Sequence, residues 1–308
     1  MAMISYAQNG EDIVIARALG PDPRGVYIDV GAGSPSVDSV TRHFYDHGWR
    51  GINIEPLPSQ LAALRAERPE DVNLGVAVGA SVGRSVLYDF GEQWGWSTLS
   101  PELAARHRRD GLPDTERTVE TTTLAAICAE HVRGDIDFLK VDVEGHERDV
   151  LSGADFARWR PRIVVVEATV PGSGEPCHEP WEPILIDAGY VFAWFDGVNR
   201  FYVAGEAREL IPRLAVPPNW FDHAEPFAEH QLRAHITTLA DHVHNQARAL
   251  EAHAARVEEL LAYIEHLEAE VRAKDGHIDE VRVYVDRLLA QIRERDAALA
   301  ASRAAQGG

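Results

Sequence analysis

Through residue 203 the chain alternates short apolar runs with polar stretches of helical period. The runs Val26–Val30, Gly51–Ile54, Val72–Val78, Phe138–Val141 and Ile163–Glu167 are near-continuous in apolar residues. That pattern suits strands buried on both faces of a parallel sheet. Leu57–Arg68 and Trp181–Ala188 read as helices between strands. Tyr190–Trp194 and Phe201–Val203 flank Asp196-Gly197, a hairpin-like turn signal. Strands alternating with helices predict a doubly wound α/β sheet closed by a terminal antiparallel hairpin. The stretch from Leu87 to Thr121 is less regular and holds Trp94, Trp96, Ser97 and Thr98 before a polar run. It reads as a lid or acceptor wall, or equally as ordinary loop packing.

The pattern changes after residue 211. Pro212, Pro217, Pro218 and Pro226 mark residues 212–228 as a linker. From Leu232 to Leu299 a 4-3 alternation begins, and sixteen of its twenty core positions are apolar. Gln246, His253, Lys274 and Arg295 fill the other four. This predicts a coiled coil over residues 229–303, on the order of 100 Å long at the α-helical rise. A lone helix cannot bury such a stripe, so a second copy or another partner helix is expected. Residues 1–211 then form the α/β domain.

Three strand ends carry the candidate chemistry. Tyr27-Ile-Asp-Val-Gly-Ala-Gly33 runs from a strand into a glycine turn where backbone can approach a ligand. A dinucleotide fold wants G-x-G-x-x-G, but Ser36 stands at the third glycine. Asp29 suits instead the sulfonium and amino group of S-adenosylmethionine (SAM). Three readings stand on this segment alone: a SAM site, a nicotinamide site and a turn without ligand. Glu55 ends the next strand, 22 residues after Gly33, where a carboxylate can accept both ribose hydroxyls. Asp142 ends a further strand, with Glu144, His146 and Glu147 following within five residues. The carboxyl ends of the strands are where an open α/β sheet keeps its chemistry.

Taken together, Ser5-Tyr-Ala-Gln-Asn-Gly-Glu-Asp12, Tyr27–Gly33, Asp38–Thr41, Gly48–Pro56, Ser97–Leu99, Leu139–Gly145, Pro161–Glu167 and Gly189–Tyr202 resemble the FkbM-type family of SAM-dependent methyltransferases over about residues 4–205. The resemblance implies a class I, Rossmann-like methyltransferase fold and O-methylation of a sugar, glycan or related natural product. Asp29, Gly31, Gly33 and Glu55 would hold SAM. Asp142 would act as base, with Glu144 and His146 as helpers. The family often has another residue where His146 stands, which weakens its claim. A divalent cation, if used, would sit between Asp142 and Glu167. Two other readings stay open. One is a coiled-coil scaffold of a glycan-assembly complex with a vestigial SAM domain, and the other is a nicotinamide dehydrogenase.

Composition narrows the partners. The chain has 308 residues and a formal net charge of −19. That disfavours nucleic acid and a polybasic membrane patch. Only two lysines occur, Lys140 and Lys274. Cys128 and Cys177 are too few and too far apart for a disulfide framework or metal cluster, and read as free thiols of a reducing compartment. No signal-peptide pattern or 18-residue apolar stretch is present, so a cytoplasmic protein is expected.

Overall fold

A computed structural model describes residues 3–21 and 24–305; the side chains of Leu299 and of residues 302–305 lie outside that description. It divides into two compact units, one ending at Leu232 and one beginning at Arg233. In chain order the elements are β1 (Met3–Ser5), α1 (Glu11–Leu19), β2 (Val26–Val30), α2 (Arg42–Asp46), β3 (Arg50–Ile54), α3 (Pro58–Glu67), β4 (Val72–Leu74), β5 (Ala77–Val78) and β6 (Gly83–Asp89). Then come α4 (Pro101–Arg109), β7 (Thr115–Thr122), α5 (Leu124–His131), β8 (Phe138–Val141), α6 (Glu147–Ser152) and β9 (Ile163–Glu167). The chain ends with α7 (Glu182–Asp187), β10 (Tyr190–Phe195), β11 (Asn199–Ala204), α8 (Ile211–Leu214), β12 (Ala224–Pro226) and α9 (Phe227–Ala305).

The main sheet has seven strands in the order β10-β11-β9-β8-β2-β3-β4. From β9 to β4 every neighbouring pair is parallel, while β11 runs antiparallel to both β9 and β10. The order reverses at β2, whose neighbours are β3 and β8. Open α/β sheets bind ligands outside the strand ends at that switch point. Apolar side chains of the central strands, including Ile28, Phe138, Leu139 and Val164, are fully buried. This explains why those runs read as continuous rather than alternating.

Three stretches differ from the expectation. Residues 72–78 are not one strand: Val72–Leu74 pairs with β3, whereas Ala77–Val78 pairs with β7. Gly75 interrupts them, and a Cβ there would lie 2.6 Å from the Leu61 side chain. Residues 83–122 are more regular than expected, because β5, β7 and β6 form a second sheet and α4 lies between β6 and β7. In the sequence, Asp38 or Ser39 reads as the cap of the helix after the glycine turn, but α2 starts at Arg42 with Thr41 at its N-cap position, and Asp38 takes a left-handed φ of 54°.

The proline-rich stretch is folded onto the first unit instead of spanning open space. β12 pairs in parallel with β1. Arg17 on α1 pairs with Asp222 at 2.9 Å and donates to the carbonyl of Arg213. Proline without an N–H is tolerated there because side chains supply the ties.

Gly51 shows how tightly the sheet packs. A Cβ at that position would lie 2.1 Å from the Tyr27 ring. The ring cannot swing aside, because its hydroxyl is buried and donates to Asp71 at 2.6 Å. Gly51→Ala should therefore cost about 1–3 kcal/mol. The reading is a lower denaturant midpoint at unchanged slope; an unchanged midpoint would show that the ring yields.

Candidate active site

A cavity of about 690 Å³ opens at the carboxyl ends of β2, β3, β8 and β9. Its floor is the glycine turn after β2. Gly31 and Gly33 adopt φ of 78° and 55°, open only to glycine at low cost. A Cβ on Gly31 would lie 1.8 Å from the carbonyl oxygen of Asp142, so the ends of β2 and β8 meet backbone to backbone. The Trp94 ring lies over Gly33, where a Cβ would come within 2.5 Å of it.

Glu55 lines the cavity and ties its floor. One carboxylate oxygen accepts from the Gly33 amide at 2.9 Å and the other from the Leu57 amide at 2.7 Å. Burial pushes its carboxyl up to about 7 despite those two donors. Each oxygen keeps a second lone pair for a hydroxyl donor.

Lys140 is the residue that sequence reasoning passed over. It lies third in β8, and its side chain is only 8% exposed. Its ammonium lies 3.3 Å from Asp142 and 3.5 Å from Asp29, and it donates to the Gly31 carbonyl at 3.1 Å. Burial alone would lower its pKa, but Asp142 and Asp29 outweigh that and hold it above the usual range. The signal was present: one of two lysines in the chain sits inside an otherwise apolar strand.

The structure brings Asp142, Glu144 and Glu167 together on the cavity wall, with one carboxylate oxygen of each within 4.8 Å of the others. Glu144 arrives there through a left-handed φ of 51°, and its carbonyl accepts from the Thr98 hydroxyl at 2.7 Å. Burial, and then the neighbouring Asp142, push both the Glu144 and the Glu167 carboxyls well up. One oxygen of Glu167 is buried without a hydrogen-bond partner.

Asp29 and His146 are not brought to the cavity. Asp29 is 1% exposed; it accepts from the Thr41 hydroxyl at 2.8 Å and faces Lys140. Asp29 thus stands behind the lysine, sharing a face of the sheet with its register partner Lys140. His146 precedes α6, its Nε2 lies 3.2 Å from Asp149, and it is not among the residues lining the cavity. Glu147 holds the loop between them, accepting from the amides of Gly145 and Val143 at 2.9 and 3.3 Å.

With this geometry, the chain belongs to the methyltransferase FkbM domain family, whose pattern matches residues 29–192. Among characterised proteins it is similar to the 31-O-demethyl-FK506 methyltransferase FkbM of Streptomyces tacrolimicus. The two are 33% identical over 175 residues, which is 48% of this chain and 66% of that protein. Among solved structures it is similar to a TehB-like SAM-dependent methyltransferase of Corynebacterium glutamicum, with TM-score 0.36 and 9% identity over 63% of this chain and 87% of the other. A precorrin-6y C5,15-methyltransferase of Geobacter metallireducens gives TM-score 0.32 and 15% identity, over 62% and 77%. Among the described residues no helix is long and apolar enough to cross a membrane.

Glu147 gives a pH test of this wall. Burial pushes its carboxyl up to about 7 from an ordinary 4.5, although backbone amides pull it down. Between those values the folded state keeps a proton that the unfolded chain has released. Stability therefore falls as pH rises through that window, by at most about 1.4 kcal/mol per pH unit. Glu147→Gln stays neutral and keeps an acceptor oxygen. Thermal unfolding from pH 4.5 to 8 should show the wild type losing stability relative to this variant; parallel curves would contradict the assignment.

Proposed function

We propose that this chain transfers the methyl group of SAM to a hydroxyl oxygen of a sugar, glycan or related natural product. The observation that carries the proposal is a cavity at the sheet's switch point lined by Glu55, Asp142, Glu144 and Glu167. A cationic ligand suits such a wall, and the glycine floor lets its adenosine and amino-acid parts come close to backbone. The relative named for 31-O-demethyl-FK506 supports an oxygen acceptor.

When bound, SAM supplies a methyl carbon made electrophilic by the positive sulfur. Gly31, Gly33 and Glu55 bind and orient it, with Glu55 accepting ribose hydroxyls. Trp94, whose ring lies over Gly33, and Trp96 also line the cavity and would offer ring faces to an acceptor. Transfer of that methyl group to an acceptor oxygen would leave a hydroxyl proton for a residue of this chain to take up. The hydroxyl grows acidic as its oxygen takes on the methyl group, so a carboxylate suffices to take the proton. Asp142 is assigned that role, because it is the member of the trio with Lys140 as counter-ion. Asp29 acts behind it by holding the lysine. With no contact to the cavity, His146 is left out of the proton path.

A second reading rests on the carboxylate trio. Three hard oxygen donors within 4.8 Å also fit a divalent cation held by Asp142 and Glu167, with Glu144 beside them. Its chemistry would be to acidify the acceptor hydroxyl. The 4-3 stripe of α9 is proposed to pair with another helix as a coiled coil.

Calorimetric titration with SAM should show binding to wild type and to Asp142→Ala. Methyl transfer to a hydroxyl acceptor should fall about 10²–10⁴-fold in the variant, and full activity there would overturn the assignment. Dialysis against a chelator separates the two readings. Activity that survives favours Asp142 as base alone, and activity lost and restored by Mg²⁺ favours the cation.

A further inference from the structure

We propose that α9 pairs with α9 of a second copy of this chain as a parallel, in-register, two-stranded coiled coil. The apolar stripe of this helix is uncovered in the single chain: Ile236, Leu239, Ile264 and Leu288 are 56%, 49%, 50% and 40% exposed. What covers it is written in how the two kinds of core position differ. With Ile236 and Leu239 taken as heptad positions a and d, eight of the nine a positions from Ile236 to Ile292 hold Ile or Val, Leu250 being the exception. Five of the six apolar d positions from Leu232 to Leu288 hold Leu, Val281 being the exception.

That division has meaning only when like layers face like. In a parallel pair each a layer packs a against a and each d layer d against d. The two layers then have different shapes, one suited to β-branched side chains and the other to leucine. In an antiparallel pair every layer mixes a with d, and the division would serve nothing. The same division favours two strands over three or four.

Three of the four polar layers agree with this register. Gln246, at d, would face its own copy, and an amide can both donate to and accept from another amide. The two basic d residues, Lys274 and Arg295, are each followed at e by an aspartate, Asp275 and Asp296. In a parallel pair a d side chain lies beside the e residue of the facing helix, so each buried cation meets a carboxylate of the second copy. Tyr284 at g and Leu289 at e, five residues on, also come together across a parallel pair. Glu270 and Asp275 form the one like-charge pair of acids across it, and Lys274 lies between them.

The test uses the full chain and reads mass and cross-links, so it is independent of methyl transfer. Light scattering on a sizing column should give twice the 34.0 kDa chain mass. Cysteine placed at d brings two sulfurs together only in register. Leu239→Cys and Leu288→Cys, made separately, should each form a disulfide-linked dimer under mild oxidation, while wild type, with only Cys128 and Cys177, should not. A monomer or trimer mass would overturn the proposal. So would the failure of both variants to form a disulfide-linked dimer at a dimer mass, which is what an antiparallel pair, with each d facing an a, would give.

Discussion

A buried ammonium holds the first unit's site in shape. Lys140 sits inside β8, directly across the ladder from Asp29 of β2. Removing an ammonium from water costs several kcal/mol, so it is tolerated only with anions and acceptors in place. Asp29, Asp142 and the Gly31 carbonyl are those partners. The one group thus ties the strand before the glycine turn, the turn itself and the strand end that carries the chemistry. Its neighbours depend on it in turn: Asp142 gains a counter-ion, and Asp29 is drawn behind the cavity wall, where Thr41 completes its hydrogen bonding.

The wall that results is electrostatically incomplete. Asp142, Glu144 and Glu167 crowd together against a single cation, and burial and mutual repulsion push the two glutamates toward their neutral forms. A positive ligand would relieve that crowding, as in the function proposed above. That is the link we propose between the fold and methyl transfer from a sulfonium. The strained backbone follows the same logic. Glu144 at φ 51° and Gly145 at φ 90° reverse the chain so that the glutamate faces the cavity while His146 faces Asp149. Glu147 then stitches the reversal with two amide hydrogen bonds.

The long helix obeys a different constraint. In the first unit, apolar side chains are buried by the layers around the sheet. On α9 the described apolar residues of the stripe stay exposed, and helix propensity alone contributes little over such a length. Charged residues occupy the remaining faces, so the stripe is the surface proposed above to meet a partner helix.

Much of this was readable in order and period. Continuous apolar runs located β2, β3, β8 and β9, since a strand buried on both faces needs no polar alternation. Glycines marked the turn, and Asp142 and Glu55 stood at strand ends where ligands bind. The 4-3 stripe was legible because helical period is a local property. Only the tertiary structure decided which way each side chain turns and what lies across the sheet. It sent Asp29 to Lys140 and Thr41, drew Glu144 and Glu167 from distant strand ends to one wall, and turned His146 aside. It also split residues 72–78 between two sheets and folded the proline-rich stretch onto α1. Such choices depend on contacts between residues far apart in the chain and on a few left-handed backbone angles, and neither leaves a periodic trace in sequence.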